Sequence, residues 1–247
     1  MYVERRDEQM NIAIIFAGGV GKRMNNKAKP KQFLELHGKP IIIYTLEAFE
    51  NNKDIDEIVV VCIQDYIDEL KKHISKFGIE KINVIVPGGT SGFASIYNGL
   101  SALKSTCNEK DIVLLHDGVR PFVDDEIIAA NIAGVKKHGN AITSVPTIEG
   151  IMISEDGAFV DQFPERKIMY ATKAPQSFRY GEIFDLYKRA KQENFEPIES
   201  AHLCQHYGMK LHMVLGSYNN IKITTPMDYY IFRALYEANE NSQLIGY

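Results

Sequence analysis

The sequence predicts an α/β fold on two observations. Short β-branched runs alternate with segments whose apolar residues recur at helical spacing. The first of those runs ends in a glycine-rich turn carrying two cations, Ala17-Gly18-Gly19-Val20-Gly21-Lys22-Arg23-Met24. Open α/β sheets bind ligands at such carboxyl ends of strands.

Strand-like runs cover residues 11–17, 57–63, 83–87, 112–116 and 141–146. Between them, residues 41–49, 66–77, 95–103 and 125–138 repeat apolar side chains with helical period, as in Ile128, Ile132 and Val135, so each fits a crossover between parallel strands. Residues 30–34 read as a loop before a turn at 36–40. After Pro146 the pattern changes: residues 151–154 and 158–163 flank Glu155-Asp156-Gly157, a turn signal that predicts a β-hairpin. Helical spacing returns at 181–192 and 200–207, strand-like runs follow at 211–215 and 221–224, and a closing helix starts at Pro226.

A chain of 247 residues can bury one substantial core, and a single domain over residues 11–240 is expected. A net charge of -4 argues against a nucleic-acid partner. It leaves room for a small phosphate ligand, which needs only a few convergent cations and backbone amides. Cys62, Cys107 and Cys204 are odd in number and lack metal-ligand spacing, which reads as reduced core cysteines of a cytoplasmic protein. Residues 1–10 are charged, too polar for a signal peptide or membrane insertion, and read as a flexible extension.

The glycine turn matches neither G-x-x-x-x-G-K-[ST] nor G-x-G-x-x-G, which disfavours kinases and dehydrogenases. Its glycines let the backbone approach a triphosphate, and Arg23 offers a planar fork for phosphate oxygens. Lys31, in Pro30-Lys31-Gln32-Phe33, reads alone as an exposed loop cation and beside the glycine turn as a second phosphate ligand.

Those two motifs, with His116-Asp117-Gly118-Val119-Arg120-Pro121, Gly88-Gly89, Ser95, Arg166, Pro175-Gln176-Ser177-Phe178 and Asn220-Ile221-Lys222-Ile223-Thr224, resemble the methylerythritol phosphate and ribitol 5-phosphate cytidylyltransferase family. The resemblance implies a Rossmann-like nucleotidyltransferase with a mixed, mostly parallel sheet flanked by helices. It also implies a protruding β-hairpin arm, here residues 146–174, that reaches across a homodimer. By the same resemblance Arg23, Lys31 and Lys222 would be catalytic, and Ala17, Gly18, Gly19, Gly21, Gly89 and Ser95 would line the nucleotide. Asp117 and Arg120 would face the ribose, a Mg²⁺ ion and the second substrate, with Asp117 a metal ligand or a partner of sugar hydroxyls only. Arg166 would come from the partner subunit to bind the polyol phosphate. Read without the resemblance, Asp117 is a turn or cap residue and Arg120 half of an ion pair.

The implied reaction joins CTP and a small polyol phosphate. An already ionised phosphate attacks the α-phosphorus, so no general base is required and His116 is read as structural. The sequence departs from the family at Thr90, Gly92 and Phe93, at Glu149-Gly150, at Ala174-Pro175-Gln176 and at Ile198-Glu199. Hydroxyl donors lost on the polyol side favour an alditol phosphate of the ribitol 5-phosphate kind, feeding a surface polysaccharide or teichoic-type polymer, over methylerythritol phosphate. A nucleotide-binding protein without turnover is the alternative of another class.

Overall fold

The computed structural model describes residues 9–19 and 29–245. Residues 1–8 of the expected extension, and Gly21 and Arg23 of the glycine turn, lie outside the described residues. In chain order the elements are β1 (Asn11–Ala17), β2 (Glu35–Leu36), β3 (Lys39–Pro40), α1 (Ile41–Glu50), β4 (Glu57–Cys62), α2 (Ile67–Phe77), β5 (Ile82–Pro87), α3 (Gly92–Ala102), β6 (Ile112–Asp117), α4 (Asp125–His138), β7 (Asn140–Pro146), β8 (Tyr170–Arg179), α5 (Tyr180–Glu193), α6 (Ser200–His206), β9 (Met213–Leu215) and α7 (Pro226–Ile245).

The main sheet runs β5-β4-β1-β6-β8-β7-β9. β1, β4, β5 and β6 are parallel, β8 is antiparallel to both β6 and β7, and β9 pairs parallel with β7. The chain builds outward from β1 through β4 to β5 and then crosses back to place β6 on the other side of β1. That reversal opens a crevice between the carboxyl ends of β1 and β6.

β1 is buried on both faces. Ala13 and Ile15 join a core with Leu46 and Phe49 of α1, Leu70 of α2 and Ile128 and Ile132 of α4. Ile12 and Ile14 join an opposite core with Leu100 of α3, Ile183 and Tyr187 of α5 and Leu203 of α6. Two covered faces explain why these strands read as continuous apolar runs. A third, smaller core gathers Leu36, Ile41, Tyr44, Val119, Ile223 and Phe232, tying α7 to the β2–β3 hairpin. That hairpin turns at His37 and Gly38, both at positive φ (50° and 72°), the backbone a two-residue primed turn requires.

Three expectations change, and one strand is added. β8 runs through residues for which no strand is expected from the sequence, with Pro175 inside it. The strand accommodates it where the β7 ladder shifts register between Ile142 and Ser144, so no ladder bond needs the missing N–H. The hairpin at 151–163 reduces to one bridge, Ile153 with Gln162; its turn is supported by Asp156 and by Gly157 at φ 74°, but its apolar side chains meet no core. Residues 221–224 are not a strand: Ile221 N–H bonds locally to Asn219 O at 2.7 Å, Ile223 N–H reaches Val119 O at 2.9 Å, and the segment is held by burial of Ile223. Packing also starts before Asn11, since Met10 is buried and its N–H donates to Asp111 Oδ1 at 3.0 Å.

Candidate active site

The cleft at the β1/β6 crevice has a volume of about 780 Å³, the size of a small-ligand site. Its floor is made where two glycine pairs meet. Gly18, after β1, and Gly88, after β5, touch so closely that a Cβ on Gly88 would lie 3.2 Å from the Gly18 Cα. Gly89 has no room for a side chain either, because its Cβ would fall 2.3 Å from that of Ala94. Buried Ser95 braces the junction: its Oγ donates to Ser91 O at 2.9 Å and accepts from Gly89 N–H at 3.0 Å. Ser91 itself caps α3, accepting from Ala94 N–H.

Gln32 holds the described part of the glycine turn. Its side chain is buried and donates to Ala17 O at 2.6 Å and Gly19 O at 3.2 Å. Phe33 beside it is fully buried, so the single 3-10 turn Lys31–Phe33 is anchored and presents Lys31 to the cleft. The loop expected at 30–34 is therefore a fixed platform.

Across the crevice, β6 ends in Asp117, whose two oxygens each hold a cation. Lys222 Nζ lies 2.7 Å from Oδ1 and Arg120 Nε 2.8 Å from Oδ2. Burial by itself would raise the Asp117 pKa, but the charges of Lys222 and Arg120 prevail and hold it below the usual carboxylate range. Arg120 also donates to Asn220 O at 2.8 Å, and Asn220 donates to Ala174 O at 2.6 Å, which fastens the Lys222 segment to β8. The ion pair expected of Arg120 is thus present, as part of the site. His116, wholly buried, pairs Nε2 with Arg120 O at 3.0 Å and meets Phe49 edge-on; burial pushes its pKa down to about 4, so the ring is neutral and supports the loop.

Ala17, Gly18, Gly19, Gly89, Ser95, Lys31, Asp117, Arg120 and Lys222 all line this one cleft, although their sequence positions span most of the chain. Arg166 does not: it is exposed in the arm, donates to Ile148 O at 3.3 Å, and faces a separate hollow with Thr147 and Glu165. Sequence reasoning missed Gln32 as the anchor of the turn, a role its place beside Lys31 does not reveal. It also missed Lys173, which lines the cleft from β8. Glu199 accepts from Thr172 at 3.0 Å and Gln176 at 2.9 Å, joining α6 to β8 on the cleft wall. Phe93 stacks on Tyr187 at 5.1 Å and fills the wall beneath the loop.

The lining carries Lys31, Arg120, Lys173 and Lys222 against Asp117 and Glu199, an excess of positive charge in a chain of net charge -4. Glycine amides, convergent cations and one carboxylate suit a polyphosphate. Among the described residues no group of three or more His, Cys, Asp or Glu side chains is gathered to hold a metal. Each Asp117 oxygen accepts one cation and keeps a lone pair, which fits a divalent ion held by one protein carboxylate with phosphate oxygens and water completing its shell.

No helix among the described residues is long and apolar enough to cross a membrane. Residues 11–237 match the family model described as IspD, 2-C-methyl-D-erythritol 4-phosphate cytidylyltransferase. The chain is 47% identical to a ribitol-5-phosphate cytidylyltransferase of Vibrio parahaemolyticus over 96% of this chain and 100% of the relative. It is 44% identical to one of Streptococcus agalactiae serotype Ia over the same shares. Among solved structures, 4-diphosphocytidyl-2C-methyl-D-erythritol synthase from Anaerococcus prevotii superposes with a TM-score of 0.80 at 30% identity, covering 93% of this chain and 99% of that one. The match spans nearly the whole chain and the folds superpose, and the chain belongs to the IspD family of cytidylyltransferases, nucleotidyltransferases of Rossmann-like fold.

Proposed function

We propose that this chain transfers the cytidylyl group of CTP to an alditol phosphate, ribitol 5-phosphate foremost, giving a CDP-alditol and pyrophosphate for a surface polysaccharide or teichoic-type polymer. The observation that carries the substrate choice is the order of likeness. Relatives named for ribitol 5-phosphate reach 47% and 44% identity over 96% of the chain, whereas a relative named for 2-C-methyl-D-erythritol 4-phosphate reaches 39% over 88% of it.

In this reading the glycine junction, Lys31 and Arg23 take the triphosphate. The acceptor phosphate oxygen bonds to the α-phosphorus as the bond from that phosphorus to the β-phosphate bridging oxygen breaks, and pyrophosphate leaves with the electron pair. Lys222 moves from Asp117 toward the charge that gathers on the α-phosphoryl oxygens, while Arg120 keeps Asp117 oriented. Mg²⁺, when bound, would supply charge that offsets the phosphates, and Asp117 would be the side chain that holds it. The acid–base duty is nil, since the attacking phosphate is already ionised near neutral pH.

The arm supports a homodimer. Ile148, Phe159, Val160, Phe163 and Ile168 are each more than half exposed on it, an apolar surface that a second copy would cover. That docking would carry Arg166 of the partner subunit toward the acceptor phosphate. Dependence on CTP and three buried or half-buried, unpaired thiols fit a cytoplasmic enzyme.

The test is pyrophosphate release from CTP with ribitol, arabinitol, mannitol, glycerol and methylerythritol phosphates, with the nucleotide product identified by mass. CDP-ribitol as the fastest product is expected. Preferential turnover of methylerythritol phosphate would replace the substrate, and no release with any acceptor would replace the enzyme reading by nucleotide binding without turnover.

A further inference from the structure

Lys173 has no part in the chemistry described so far. It lies on β8 three residues before Gln176, beyond the end of the β6–β8 ladder and within the β7–β8 register shift, and it lines the cleft wall. The side chain is half-buried, and among the described residues it has neither a hydrogen bond nor an ion pair. Arg120 and Lys222 share Asp117, and Glu199 is taken by Thr172 and Gln176, so the two nearby carboxylates are already engaged.

Burial and the neighbouring charge of Arg120 both hold the Lys173 ammonium below the ordinary lysine range. A cation kept half out of water beside another cation destabilises the empty protein. Such an arrangement is expected where the counter-charge arrives with a ligand.

Position decides which anion that is. The backbone donors of the nucleotide end follow β1 and β5, on one side of the crevice. Asp117 and Lys222 stand at the end of β6, and Lys173 stands beyond them on β8. A phosphoryl group reacting at Lys222 therefore has the triphosphate on its β1 side and the incoming group on its β8 side.

We propose that Lys173 binds the phosphomonoester of the acceptor and sets the affinity for that substrate. The inference rests on the cytidylyltransferase reading above and adds a residue to it.

The experiment is steady-state kinetics of wild type, Lys173→Met and Lys173→Arg, varying CTP and ribitol 5-phosphate separately, with thermal unfolding of each ligand-free protein. Lys173→Met is expected to raise the acceptor KM at least tenfold and leave the CTP KM within about twofold, and Lys173→Arg to recover most of the loss. Ligand-free Lys173→Met should melt at or above the wild-type temperature, because an uncompensated charge has been removed; a structural lysine would lower it. An unchanged acceptor KM, or a rise confined to CTP, would overturn the proposal while wild-type turnover kept the enzyme reading intact. If wild type turns over a different polyol phosphate, the same contrast on that acceptor decides for or against Lys173. Absence of turnover with every acceptor would overturn both.

Discussion

Lys31 and Lys222 approach the cleft from opposite walls, one on a short turn fixed by Gln32 and Phe33, the other beside a buried Ile223. Because the supporting neighbours do the folding, Lys31→Ala should lower kcat/KM by about 30- to 1000-fold, the loss of roughly 2–4 kcal/mol of transition-state stabilisation. Far-UV circular dichroism should be unchanged, and wild-type kinetics in this variant would remove Lys31 from the mechanism. At this scale the sequence was informative wherever a motif holds neighbouring residues together, as in Ala17-Gly18-Gly19, Pro30-Lys31-Gln32-Phe33 and His116 to Pro121. It was silent where partners are distant. Glu199 meets Thr172 across 27 positions, and Arg120 meets Asn220 across 100, so neither contact leaves a local pattern. Lys173 is one lysine in a strand with no spacing to mark it, and only its place beside Arg120 gives it meaning.

The elements α4, β7 and β8 share a buried polar bond set centred on Asn131. Its amide donates to Ile127 O and Thr143 Oγ1 and accepts from Ser177, while Thr143 donates to Pro175 O. Asn131→Ala leaves Thr143 and Ser177 without their shared partner inside the core and should cost about 2–4 kcal/mol of unfolding free energy; a loss below ~1 kcal/mol in denaturant titration would mean the pocket recruits water instead. The arm is the contrasting element. It carries apolar side chains outward, so Phe159→Asp with Phe163→Asp should leave the thermal midpoint nearly unchanged but halve the mass seen by light scattering and suppress turnover. A protein that is already monomeric before substitution would contradict the dimer. Strands with both faces buried and helices with one apolar stripe were legible, hence the agreement over β1, β4 to β7 and α1 to α6. β8 was not, because Pro175 is a strand-breaking residue placed at a register shift that only the folded sheet reveals.

For the whole molecule, acid sensitivity should be set in part by one ring. His116 is neutral in the fold because burial pushes its pKa from 6.5 down to about 4, so the unfolded chain binds more protons between those values. Stability from this source is complete above about pH 6.5 and declines as pH falls toward 4, by about 3 kcal/mol in all. His116→Gln can keep the bond to Arg120 O without the titration and should flatten that limb in urea unfolding of the ligand-free protein; an equally steep limb would assign the loss to other groups. The third core adds a different constraint. Ile223 packs with Phe232 of α7, and the Tyr229 hydroxyl of the same helix donates to Glu35 O at 2.7 Å. The final helix therefore works as a latch on the adjoining lysine at 222, while contributing little to the two larger cores that make the sheet. A protease nick ahead of Pro226 would leave a body still folded yet unable to aim its reactive end, so activity would be the first property lost as preparations age.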